Sequence, residues 1–437
     1  MAGKKTTLSV RGQQNAESGA LMGRLFDVLG KPYDKTRNPD GIINLGTAEN
    51  YVMHDELAKY INRNFKIDGK DCTYGEGATG SPRLRKSMAH HLNRYFKPYK
   101  SVESEEISFS AGVTAINEMY AISLADEGDG ILLNRPLYGA FENDLTMKAK
   151  LNTIHVALHG TDAFDVGVVA KYEAALQKAE KEGTKVRAVL ISNPHNPLGQ
   201  CYSQETLRAL LVFCQKHQLH LISDEIYALC VFDSGNPSAL PFTSVLSIDF
   251  TDVIDPNLVH VLYGLSKDFG AGGLRLGCFI TRNQELRQAM RSISMFHWPS
   301  NLSDSMAATI LEDETFVEDY LSLSQQRLGE SYRLATGILN EAGIAYHHGG
   351  NAGFFLWVDL SPYLPDVEKD NSPLQKERLL SDRILNAGVY LATGEEFHSE
   401  EPGWFRVVFS QEKEKLVEGL KRIVEVLMPE SSQQMPA

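Results

Sequence analysis

YGLSKDFGAGGLRLG, residues 263–277, sets a lysine, Lys267, between an apolar run and a glycine-rich turn. A lone lysine is ordinarily a solvated surface charge. Here the residues before it, LVHVLYGLS (258–266), read as a buried strand, and FGAGG follows it. A lysine held among apolar groups gives up its proton more readily and becomes a nucleophilic amine. That is what Schiff-base chemistry with a carbonyl requires. Arg275 lies eight residues on, still inside the same segment.

Other segments share this pattern of a polar residue at the end of an apolar run. HLISDEIY (220–227) ends its strand on Asp224, with Tyr227 three residues later. Taken singly, such an aspartate reads as a helix cap or a satisfied strand-end carboxylate. SNPHNPLG (192–199) is a turn built from turn-forming residues, and it carries Asn196. SAGVTAINE (110–118) is a strand end, a tight turn and a helix start. Backbone N–H groups and the Thr114 hydroxyl there suit a phosphate.

Between these segments, short β-rich runs alternate with helical ones: EISFSAG, GILLNRP, RAVLISNP, LHLISDEIY, LVHVLYGLS and LRLGCFIT. The alternation predicts an α/β fold with a mostly parallel central sheet flanked by helices, and ligands sit at the carboxyl ends of such strands. After about residue 300 the character changes. A helical stretch over roughly 303–342 leads to AGFFLWVDL, WFRVVFS and an amphipathic helix over 411–427, which together read as a smaller α+β domain. The division expected is an N-terminal arm over 1–40, a small domain from 41–70 and 320–437, and a large domain over 71–319. The last residues, PESSQQMPA, read as a frayed end.

The 437 residues carry a net charge of -13, which argues against nucleic-acid or membrane-surface binding. The five cysteines, Cys72, Cys201, Cys214, Cys230 and Cys278, show no metal-type spacing, so no metal is expected, and their scatter suits free thiols in the cytoplasm. No apolar run has the length of a membrane span, and the first residues lack the apolar stretch of a secretion signal. Gly75, Gly77 and Gly80 have dinucleotide-motif spacing without the strand that motif needs. The pair His90-His91 reads as surface, His347-His348 lacks ligand spacing, and LRALLVFCQKH reads as a core stripe.

Asn196, Asp224, Tyr227, Lys267 and Arg275, in that order and each in its motif, resemble the fold type I pyridoxal-5'-phosphate (PLP) enzymes. INLGTAEN (43–50), VFD (231–233), NAGFFLWVDL (351–360) and EPGWFRVVFS (401–410) sharpen the resemblance to 1-aminocyclopropane-1-carboxylate (ACC) synthase and its relatives, over about residues 40–428. Ala48-Glu49-Asn50 discriminates most, because aminotransferases of this fold carry a Gly-x-Pro motif there.

The resemblance implies PLP on Lys267 and S-adenosylmethionine as substrate, with loss of the α-proton to Lys267 and elimination at Cγ. It implies Asp224 on the pyridine nitrogen, Asn196 and Tyr227 on the phenolic oxygen, and Tyr138 stacked on the ring. Gly112, Val113, Thr114, Ser266 and Arg275 would surround the phosphate. Arg406 would grip the substrate carboxylate, and Glu49 would lie near the leaving group. Tyr74 would reach the neighbouring subunit's phosphate in a homodimer with shared sites. An aminotransferase is the alternative, because the core residues are common to both.

The chain also departs from the family. Gly264 stands where a phosphate-binding serine is usual, YGEGATG replaces a short Tyr-His-Gly turn, and Asn143 replaces an arginine. ATGEEF places Glu395 and Glu396 near the cavity mouth. These changes bear on the substrate more than on the cofactor. A PLP-fold regulator would need a basic DNA-binding domain, for which this acidic chain has no counterpart.

Overall fold

A computed structural model describes residues 7–18, 28–366 and 372–428. Much of the expected arm and the PESSQQMPA end fall outside these residues. The strands are β1 (Ile43–Asn44), β2 (Ile107–Ser110), β3 (Gly130–Asn134), β4 (Asn152–Val156), β5 (Val186–Ser192), β6 (His220–Asp224), β7 (Val259–Gly264), β8 (Gly277–Thr281), β9 (Phe355–Asp359), β10 (Val389–Tyr390), β11 (Ala392–Thr393) and β12 (Trp404–Val408).

Seven strands form the main sheet in the order β2-β8-β7-β6-β5-β3-β4. Those from β4 to β7 are parallel, while β8 and β2 close one edge antiparallel. The sheet is therefore mostly parallel, as the sequence predicts. Its central strands are buried on both faces, which is why VLIS and LISD are continuous apolar runs rather than alternating ones. One apolar cluster fills the face around Leu132, Val189, Leu221 and Val261, and another the opposite face around Ile131, Leu133, Ala188, Ile222 and Leu262.

A three-stranded antiparallel sheet, β11-β12-β9, stands apart, and β1 pairs in parallel with β10. Ile43 lies beside Val389 and Asn44 beside Tyr390, so the segment leading to Glu49 is anchored to the C-terminal part of the chain. A third core joins Ile43, Leu45, Phe354, Phe405 and Val424 with Ile226 and Tyr227.

The helical stretch expected over 303–342 is two helices, Asn301–Glu312 and Glu314–Glu341. Asp313 separates them and caps the second by accepting from Phe316 N at 3.0 Å. His90 and His91 are also not both at the surface. His90 pairs with Glu314, whereas His91 is buried against the Tyr263 hydroxyl at 3.1 Å. Consecutive helical residues point in different directions, so the pair divides between solvent and core.

Candidate active site

Strands β5, β6 and β7 end at Ser192, Asp224 and Gly264, and the chain beyond each end turns into one cavity of about 310 Å³. Its walls include Glu49, Val113, Thr114, Tyr138, Asn196, Asp224, Tyr227, Ser266, Lys267 and Arg275. Lys267 Nζ donates to Ala48 O at 2.6 Å and lies 5.9 Å from the Tyr227 ring centre. Burial, with Arg406 nearby, lowers its pKa to about 8. A usable fraction of neutral amine therefore exists near neutral pH.

Besides Glu49, two further acids line the cavity. Burial pushes Asp224 up to about 7 and Asp144 up to about 6. Asp224 accepts from Ile226 N at 3.2 Å, and Asp144 from Asn117 Nδ2 at 2.8 Å. A buried carboxylate so sparsely bonded is poised to take a cationic N–H.

At another wall, the helix Val113–Leu124 begins without a side-chain cap, so its first N–H groups are free for an anion. Its N-cap, Gly112, has φ +95°, and a Cβ there would stand 2.7 Å from Arg275 Nη2. Glycine thus lets the guanidinium come up to the helix start. Behind it, Gly264 pairs with Gly277 across β7 and β8. A Cβ on Gly277 would meet Val113 N at 2.6 Å, so the bare backbone lets the helix start sit against the sheet.

Arg406, on β12, is buried just behind the lining. Its Nη1 donates to Asn196 Oδ1 at 3.0 Å and its Nη2 to Gly46 O at 2.6 Å. The rings of Phe397 and Phe355 lie 4.7 and 5.3 Å from its guanidinium carbon. Because Arg406 occupies Asn196 Oδ1, the asparagine has its amide N–H groups to offer elsewhere, the polarity a phenolate oxygen needs. Glu49 accepts from the Tyr51 hydroxyl at 2.5 Å, which holds its carboxylate at the cavity wall.

The donor set fits a phosphorylated pyridine aldehyde. It combines an amine, an anion cradle, an amide donor and a buried carboxylate. Asn117 Oδ1 and Arg406 Nε are buried without a hydrogen-bond partner.

The family model for aminotransferase class I and II matches residues 40–423. This chain belongs to that family. The family is one of PLP-dependent enzymes of fold type I. Within the aminotransferase class I and II family, the chain is similar to ACC synthase and ACC synthase-like proteins. It is 33% identical to a probable inactive ACC synthase-like protein 2 of Mus musculus, over 96% of this chain and 72% of that one. It is 32% identical to ACC synthase 2 of Solanum lycopersicum, over 87% of this chain and 78% of that one. The fold matches aspartate aminotransferase from Thermus thermophilus with maleate at a TM-score of 0.73 and 19% identity, covering 97% of this chain and 100% of that one.

In this family member, two of the residues singled out from the sequence stand back from the lining: Gly112, under Arg275, and Arg406, behind Asn196. Tyr74 is 85% exposed beside Trp298, with ring centres 5.7 Å apart, and is not part of this cavity. Glu395 turns away to form an ion pair with Arg378. Glu396 lies close enough to favour the charged form of Arg406. Asn143 is exposed on its helix, while its neighbour Asp144 lines the cavity. Sequence reasoning missed Asp144, Asn117 and His54, and had Asn50 only as part of the Ala48-Glu49-Asn50 motif. The signal for Asn117 was its place one turn after Val113, on the face that meets the anion cradle.

Proposed function

We propose that this chain binds PLP through Lys267 and acts on S-adenosylmethionine, removing the α-proton and expelling methylthioadenosine from Cγ. When bound, the cofactor serves as the electron sink for the carbanion formed at Cα. Lys267, with its pKa near 8, is the base that takes the α-proton. Asp224, ionised against a ring N–H, keeps that nitrogen protonated. Val113, Thr114, Ser266 and Arg275 hold the phosphate, and Asn196 and Tyr227 donate to the phenolic oxygen. Tyr138 stacks on the ring.

Arg406 presents its fork to the substrate carboxylate. The observation that carries the reading is Glu49. Its carboxylate, held by Tyr51, shares the cavity with Lys267 and offers a negative charge to a sulfonium. The likeness to the Solanum lycopersicum ACC synthase supports it. An aminotransferase is the second reading, supported by the same amine, acid and arginine set and by the fold of the Thermus thermophilus enzyme.

Incubation with PLP and S-adenosylmethionine, followed by mass spectrometry, tests the proposal. Methylthioadenosine together with ACC or another four-carbon product supports it. Conversion of the cofactor to its amine form, reversed by a 2-oxo acid, supports the aminotransferase instead.

The homodimer with shared sites also belongs to this proposal. Tyr74, Met295, Phe296 and Trp298 all leave large apolar area exposed, and a second copy could cover it. We further propose the division into 41–70 with 320–437 and 71–319, supported by the pairing of β1 with β10. No described helix is long and apolar enough to cross a membrane. A cytoplasmic location is proposed from the five free cysteines, four of them buried.

A further inference from the structure

Outside the cavity, three ligating side chains from separate elements meet at the β4 edge of the main sheet. Glu142 comes from the helix Ala140–Thr146, His155 from β4, and His398 from the turn after Glu395–Phe397. One donor atom from each lies within 4.8 Å of the other two. His155 Nε2 is 3.0 Å from Glu142 Oε2, and Thr153 Oγ1 donates to the other carboxylate oxygen at 2.7 Å. The rings of His155 and His398 have centres 4.4 Å apart. All three residues are half-buried, so an ion from solvent can reach them.

We propose that Glu142, His155 and His398 form a site for a divalent transition cation of the zinc class. Two imidazoles and a carboxylate are the borderline donor set such ions select, with bonds of about 2.0–2.2 Å. Donors at that distance from one ion stand roughly 3.3–3.6 Å from one another, and the present donor spacings, all within 4.8 Å, lie near that range. Thr153 orients the carboxylate as an outer-shell partner does. Arg135 is the nearby cation. Its guanidinium donates to the backbone oxygens of His398 and Ser399 at 2.5 and 2.8 Å, which fixes the turn without occupying the ligand atoms.

The position gives the ion a structural task. Phe397, next to His398, accepts from Leu137 N at 2.9 Å and lies under Arg406. The Glu396 carbonyl abuts Gly139, beside Tyr138. A cation held by Glu142, His155 and His398 therefore pins this turn, and with it the support for Arg406 and Tyr138, to the main sheet.

The test uses the untagged full chain, stripped of metal with a chelator and titrated with Co²⁺, then with Zn²⁺ as competitor. The expected result is one ion per chain, with a Co²⁺ visible band that Zn²⁺ abolishes. His155→Ala and His398→Gln should each weaken binding by more than the roughly 10–100-fold that an outer-shell change costs. His159→Ala, an exposed neighbour, should leave binding unchanged. Should a variant fold poorly, histidine labelling of the unaltered protein decides: Zn²⁺ protects His155 and His398 from acylation if the site exists. Absence of a stoichiometric ion, binding indifferent to both substitutions, or no protection would each overturn the proposal.

Discussion

Asp224 is held in its protonated form to about pH 7 by burial, whereas in an unfolded chain it ionises near 4. The folded protein free of cofactor therefore binds the extra proton between those values, and its stability falls as pH rises through that window. The difference amounts to about 4 kcal/mol. Asp224→Asn removes the titration, so the cofactor-free variant should gain stability relative to its parent at pH 8 but not at pH 4. Denaturant melts at the two values check this, and equal differences would place Asp224 in contact with solvent. Arg406→Lys keeps a charge but loses the fork that holds Asn196 and Gly46 and that, in the proposed function, takes the substrate carboxylate. KM for an α-amino acid should rise about 10–100-fold, matching a loss of about 1.5–3 kcal/mol of charge-assisted bonding. The resting spectrum with PLP should not change. Substrate titrations that coincide with those of the parent would show that the carboxylate binds elsewhere.

The strands and their ends decide both what was legible in the sequence and what was not. Asn196, Asp224 and Lys267 each follow a continuous apolar run, because a parallel strand buried on both faces writes itself as one and the polar residue after it stands out. Asp144 and Asn117 lie on helices instead, where a polar residue is unremarkable until the sheet below shows which way it points. Glu395 reads in the sequence as part of the cavity mouth, but Arg378 on the helix Pro373–Asn386 takes its carboxylate, a pairing with no short-range signature. Gly264 has a backbone reason of its own. A Cβ there would stand 2.5 Å from Leu276 O and 3.0 Å from Gly277 Cα. Restoring the family's serine by Gly264→Ser should therefore destabilise the protein by about 1–3 kcal/mol. A lower melting temperature without tighter PLP binding is expected, and tighter binding at unchanged stability would contradict this reading.

At the scale of the molecule, the seven-stranded sheet supplies one side of the cavity while the C-terminal part places Arg406 behind Asn196 and anchors the segment that carries Glu49. Tyr74 and Phe296 are 85% and 78% exposed and do not line the chain's own cavity. In the proposed dimer they are covered, so Phe296→Glu should shift sedimentation toward the monomer and weaken PLP retention together. A variant that stays dimeric would remove this surface from the interface. The central claim, that Lys267 is the cofactor-bearing amine, has a more direct test. The protein is incubated with PLP, reduced with borohydride, digested, and its labelled peptide sequenced by mass spectrometry. The expected result is a yellow protein with one stable label per chain, on Lys267. A colourless protein without label, or a label on a different lysine, would contradict the claim.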